Sequence, residues 1–410
     1  MQNQARKNAV FAVLISTLYS TALLTSTGVL MQNFLSSIGF ESDSIYIHSS
    51  VYQAANVLAI MLCAKWADGG NIIRRTALVH LPIGVLYLFY IPLCFTKSAD
   101  PFSFVFLIAV AVLHAVITGM RTVCEYKLPY YVYTRTGYGT VSALSGVIAS
   151  FAAFAVGALM TMLAKHFPYE TLMLIAFIIS ALFLIAAFLF QLKMRVIPDS
   201  EAMLTADKEK KDVPRVSVRA MLKSPIFLRL LPANLLRGFA SGLTTVLAAV
   251  AVGIGYDEQT RTVLVSVQSI ALLSSSLLFA FLSRKLSPRL PILVGSLTFL
   301  LLPIILLGND FLFLAVSFLV IFGRNFVDYG VPVILLRAVP TEIAGPYNAW
   351  RMCLHNGGAF LSTFIAAFLP IEIMLALTIV AQIISGILFF SSGILRAVAP
   401  IRYHRHAPRI

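Results

Sequence analysis

Gly119-Met-Arg121-Thr-Val-Cys-Glu125-Tyr126-Lys-Leu-Pro129 and Phe322-Gly323-Arg324-Asn-Phe-Val-Asp328-Tyr329-Gly-Val-Pro332 share one pattern, Arg-x-x-x-acid-Tyr-x-x-Pro. Charge is scarce around them. Of 410 residues 59% are apolar and 12% charged, whereas a soluble domain carries about a quarter charged residues. The chain instead has many apolar runs of roughly 20 residues, each long enough to cross a bilayer. In hydrocarbon the backbone must satisfy its own hydrogen bonds, which leaves helices or a closed barrel. The runs are continuous rather than alternating, so an all-α membrane protein of about 12 transmembrane helices is expected. The spans fall at 8–30, 45–64, 76–96, 102–132, 138–163, 169–192, 226–253, 260–283, 290–308, 311–337, 345–369 and 371–395. The repeated motif then occupies spans 4 and 10, the fourth helix of each six-helix half.

Between the halves the composition changes. Residues 193–223, KMRVIPDSEAMLTADKEKKDVPRVSVRAMLK, are charged and hold two prolines. The expected organisation is an N-terminal bundle over 1–192, a linker over 193–223, a C-terminal bundle over 224–396 and a basic tail over 397–410. Assigning the intervals alternately to two faces puts 23 basic residues on one side and only Lys97, Lys165 and Arg261 on the other. This positive-inside asymmetry places both termini and the linker in the cytoplasm, with the chain in the inner membrane. The net charge of +14 therefore reports topology rather than nucleic-acid binding. Arg6 and Lys7 ahead of an apolar run resemble a signal peptide, but Ala9–Leu30 is too long for one and leads into further spans. Cys63, Cys94, Cys124 and Cys353 lack metal-ligand spacing and read as small packing residues.

Two related halves, a cytoplasmic linker and cytoplasmic termini resemble the major facilitator superfamily over the whole chain. That family carries Gly-x-x-x-Asp-Arg-x-Gly-Arg-Arg between helices two and three. Here Ala64-Lys65-Trp66-Ala67-Asp68 is followed by Arg74-Arg75, so Asp68 and the basic pair match while the glycine and the spacing do not. The corresponding loop of the second half, Ser283-Arg284-Lys285-Leu-Ser-Pro-Arg289, keeps only the charge. Span 5 has no proline within Ser142–Met160, unlike the Gly-Pro motif of drug/proton antiporters in this family. The resemblance implies alternating access of a solute site between two bundles, with Asp68 at a gate.

Ions within spans are functional candidates because burying charge in hydrocarbon costs several kcal/mol. Arg121 and Arg324 lie 14 and 13 residues from Arg135 and Arg337, which is about 20 Å inside the cytoplasmic ends at 1.5 Å per residue. Glu125 and Asp328 follow four residues later on the same faces. Arginine grips a carboxylate or phosphate bidentately. Arg121, Arg324 and Arg237, with Tyr126, Tyr329, Gln53, Gln268 and His355, are therefore read as solute contacts. Glu125, Asp328 and His48 are read as proton carriers. Arg351 suits a gate or loop salt bridge as well as a solute contact, and His114 is left open. Five intramembrane basic residues (Arg121, Lys127, Arg237, Arg324 and Arg351) against two acids favour a small organic anion. No P-loop, metal cluster or Gly-x-Ser-x-Gly elbow appears, and no cofactor is expected. The expected function is proton-coupled secondary transport, not enzymatic. A sugar, peptide or drug carrier and a lipid flippase are the alternatives.

Overall fold

The computed structural model describes residues 2–26, 28–63, 66, 71–96, 99–133, 137–197, 225–282, 287, 289–338 and 344–392. Most of the linker, the basic tail and the loop bearing Asp68 lie outside these residues. Among the described residues every regular element is helical. Span 1 is Gln2–Leu23 followed by Val29–Ser37, and spans 2 to 6 are Ser42–Cys63, Ile72–Phe95, Pro101–Val132, Gly137–Leu163 and Tyr169–Lys193. Span 7 is Pro225–Thr245 followed by Leu247–Ile254, and spans 8 to 12 are Glu258–Leu282, Arg289–Leu307, Asp310–Ala338, Ala344–Ala366 and Ile371–Ser392. Among the described residues nine helices are long and apolar enough to cross a bilayer by themselves, and the bent pair of span 7 makes a tenth. Spans 1 and 11 complete the twelve at the expected places, diluted by Arg6 and Lys7 and by Arg351, His355 and Asn356. Large apolar side chains such as Leu62, Phe102 and Ile387 remain exposed, as lipid-facing positions require.

Two expected spans are not continuous. Span 1 breaks between Leu23 and Val29, and span 7 bends by 55° at Val246. Each is the first span of its half, so the break is itself repeated. Both breaks are rich in hydroxyl residues, which hydrogen-bond nearby carbonyls and let a helix end inside an apolar medium. At the first, Thr25 Oγ1 donates to the Ala22 carbonyl at 2.8 Å, and the Tyr87 hydroxyl donates to the same carbonyl at 2.7 Å. At the second, Thr244 and Thr245 donate to the carbonyls of Ser241 and Gly242 at 2.9 and 2.6 Å. The repeated prolines also part company. Pro129 starts a short separate turn, Pro129–Val132, whereas the helix of span 10 runs through Pro332 to Ala338.

Within the first half, span 1 packs on spans 5 and 6, span 2 on span 4, and span 3 on spans 4 and 6. Within the second half, span 7 packs on spans 11 and 12, and span 10 on spans 8 and 9. The bundles meet along two seams, span 2 against span 11 and span 5 against span 8. The end of the molecule away from the N-terminus, holding residues 37–42, is called distal below. There the short distal helix of span 1 also touches spans 7 and 8.

Candidate functional site

Span 7 carries Arg237, and the next residue is Gly238. A Cβ there would collide with the carbonyl of His355 on span 11, and one at Gly242 would stand 2.7 Å from the carbonyl of Ala359. Small residues thus let the two backbones touch at the level of Arg237 and His355. Span 10 supplies Arg324 and Asp328 from the adjoining side.

These residues form one ionic cluster. Arg237 Nε lies 2.9 Å from Asp328 Oδ1, while Arg324 Nε lies 3.9 Å from Oδ2. The closer partner of Asp328 is therefore the arginine of another span, not the one four residues earlier. Arg324 also donates to Thr244 Oγ1 at 3.2 Å. His355 stands within electrostatic reach of Arg237, Arg324 and Arg351. Two guanidinium groups thus flank a single carboxylate, with the His355 imidazole close to both of them and to Arg351. Asp328 and Arg324 keep 29% and 25% of their side-chain surface, so the cluster is not sealed. Tyr329 turns to span 8, where its hydroxyl lies 2.5 Å from Ser276 Oγ and its ring stacks on Phe279.

The equivalent motif in the first half is arranged differently. Arg121 pairs with Glu125 within its own helix, as the spacing implies. The guanidinium also lies over the Tyr19 ring of span 1, 3.1 Å from its centroid, and Arg121 is 5% exposed. This charge is neutralised and enclosed inside its own bundle, while the Glu125 carboxylate keeps 38% exposure. Tyr126 lies on the same helix, with its side chain outside the described residues. His48 is buried beside His114, whose ring is flanked by Tyr52, Tyr87 and Tyr90. It is therefore grouped with the aromatic core of the N-terminal bundle, whose Tyr52 stands within electrostatic reach of Tyr19 and Arg121. Gln53 and Gln268 are half-buried on spans 2 and 8, and the Gln268 amide nitrogen has no hydrogen-bond partner among the described residues. Arg351 is half-buried next to His355.

Thr244, Tyr19, Asn356, Ser50 and Thr363 were not expected from the sequence, whereas Asn56 follows His48 at helical spacing and suits a helix-packing hydrogen bond. Thr244 and Tyr19 are ordinary residues of apolar runs, and only the fold sets them against arginines. Asn356 on span 11 donates to Asn56 on span 2 at 2.9 Å, and Ser50 donates to Thr363 at 2.9 Å, so two polar pairs bridge the seam. A polar residue inside an apolar run was the available signal for them. No group of three or more His, Cys, Asp and Glu suited to a metal occurs among the described residues.

Residues 10–363 match the family described as Major Facilitator Superfamily. The chain belongs to that superfamily. As a member it is a multi-pass membrane transporter of the two-bundle kind. Solved structures share the facilitator fold across nearly the whole chain. A bacterial homologue of the iron transporter ferroportin in its inward-facing state is 14% identical, with 94% of this chain and 98% of that chain covered and a TM-score of 0.64. The D-xylose-proton symporter is 10% identical, with 96% and 97% covered and a TM-score of 0.69. No curated protein matches the sequence as a relative.

Proposed function

We propose that this facilitator is a secondary active transporter that moves a small carboxylate- or phosphate-bearing anion across the inner membrane by alternating access, coupled to protons. The observation that carries the reading is the convergence of Arg237 and Arg324 on one carboxylate, Asp328, with His355 close to both arginines and to Arg351. Such a cluster holds positive charge in excess of its own acid. A bound anion completes it, and the planar guanidinium forks suit carboxylate or phosphate oxygens. Arg121, already matched by Glu125 and Tyr19, has less to offer a solute. In this reading the C-terminal bundle grips the solute, with Tyr329 and Gln268 at the margin and Gln53 facing from span 2.

An anion that occupies Arg237 and Arg324 strips Asp328 of its counter-charges. The carboxyl, left without its partner in a poorly hydrated site, then takes up a proton, so solute and proton cross together. Glu125 serves the same purpose on the other side. The basic asymmetry supports a distal end outside the cell and termini in the cytoplasm. A ligand that binds only the folded state raises its stability, by about 2.7 kcal/mol at a hundred times its Kd. Purified protein is therefore heated with a panel of carboxylates, sugar phosphates, neutral sugars, peptides and cationic drugs. The expected result is a rise in melting temperature with one or more anions alone. Stabilisation by sugars or cations only would overturn the anion reading.

A further inference from the structure

In a continuous helix the Ala249 N–H would bond the Thr245 carbonyl. The bend at Val246 opens that bond, and a side chain from the other bundle is spliced into the gap. Gln32, on the distal helix of span 1, donates its amide nitrogen to the Thr245 carbonyl at 2.7 Å. It accepts the Ala249 N–H with Oε1 at 3.3 Å. One carboxamide therefore satisfies both the Thr245 carbonyl and the Ala249 N–H, in a place where unpaired groups are costly. Gln32 is 2% exposed. Its neighbours hold the same end: Asn33 donates to the Arg261 carbonyl at 2.9 Å, and Arg261 donates to Ser36 Oγ at 2.5 Å.

The adjoining residue, Thr244, accepts from Arg324. Two consecutive residues of span 7 thus join the ionic cluster of the C-terminal bundle to a residue of the N-terminal one. We propose that Gln32 is a latch that keeps span 7 bent while the bundles are shut at the distal end, and that Thr244 is the positioning residue through which Arg324 acts on it. When the bundles part, Gln32 withdraws, and Thr245 and Ala249 are free to close their own bond and straighten the span. The link from solute to latch rests on the anion reading above, because it requires the solute to compete with Thr244 for Arg324. The latch itself does not.

The test uses full-length protein with Cys63, Cys94, Cys124 and Cys353 replaced and spin labels at Glu41 and Asn309, exposed distal residues of the two halves. Gln32→Leu and Gln32→Met fill the volume without the amide. Either should shift the ratio of closed to open distances toward open by about tenfold, the scale of two lost hydrogen bonds. Thr244→Val should also shift it with Gln32 present and add nothing in the Gln32→Leu background, the mark of a shared path. An unchanged distribution in both Gln32 variants overturns the latch. Additive effects of Gln32→Leu and Thr244→Val overturn the role of Thr244. These arms use no solute, so a failure of the anion panel leaves them decisive.

Discussion

Arg324 and Arg121 occupy the same place in the repeated motif and are expected to behave differently when changed to lysine. Lysine keeps the charge but not the fork. Arg237→Lys and Arg324→Lys should weaken binding of the stabilising anion by about tenfold or more, measured by titration of the purified protein. Arg121→Lys should leave that affinity within a few-fold. It should lower stability by about 1 kcal/mol, through loss of the stacked Tyr19 contact and the tight pairing with Glu125. Equal loss of affinity at all three positions would return Arg121 to the solute site. The acids separate in another assay. Glu125→Gln and Asp328→Asn retain shape and lose titration. In proteoliposomes at least one should still exchange solute while losing accumulation under a pH gradient. Normal accumulation by both would leave a uniporter.

The spans were legible as elements because a continuous apolar run of about 20 residues has few other fates. The ends of Gly137–Leu163 and Tyr169–Lys193 fall within a residue of expectation. The breaks at Thr25 and Val246 were not legible, since Ser and Thr are tolerated inside a membrane helix and hydropathy does not see a bend. The i, i+4 rule likewise points only within a helix. It found Arg121–Glu125 and missed Arg237–Asp328, whose partners are 91 residues apart. Close helix crossing governs that second pair. Gly238→Ala must push span 7 off the His355 carbonyl and should cost about 1–3 kcal/mol in thermal unfolding. Gly146, on span 5, has nothing among the described residues within 4 Å of its missing Cβ, and Gly146→Ala should be neutral or slightly stabilising. If both glycines tolerate alanine equally, the tight approach of spans 7 and 11 is not holding Arg237 in place.

For the whole molecule, the proposed sidedness rests on the count of basic residues, and Lys208 in the linker is the position that tests it. A single cysteine there should be labelled by a membrane-impermeant maleimide only after the cells are opened. Labelling of intact spheroplasts would invert the topology. Inversion would also exchange the meaning of the two ends and make the Gln32 seam a cytoplasmic closure.

The seams between the bundles have a further consequence. Each ion pair described lies within one bundle, Arg121–Glu125 in the first and the Asp328 pairs in the second. Across the seams the contacts among the described residues are hydrogen bonds, not ion pairs: Asn356 to Asn56, Ser50 to Thr363, and Thr161 with Ser266 at 3.0 Å join dipoles. At the distal end a charged group, Arg261, reaches across to a hydroxyl, Ser36. Rocking one bundle against the other therefore neither makes nor breaks a salt bridge among these residues. Screening by dissolved electrolyte acts on charges and spares such dipoles. The interchange rate of the empty carrier should thus stay nearly flat as ionic strength rises from about 0.01 to 1 M, a range over which the Debye length falls from about 30 to 3 Å. Solute capture at the arginines should weaken over the same range. Brine would slow the loading of this machine and leave its hinge untouched.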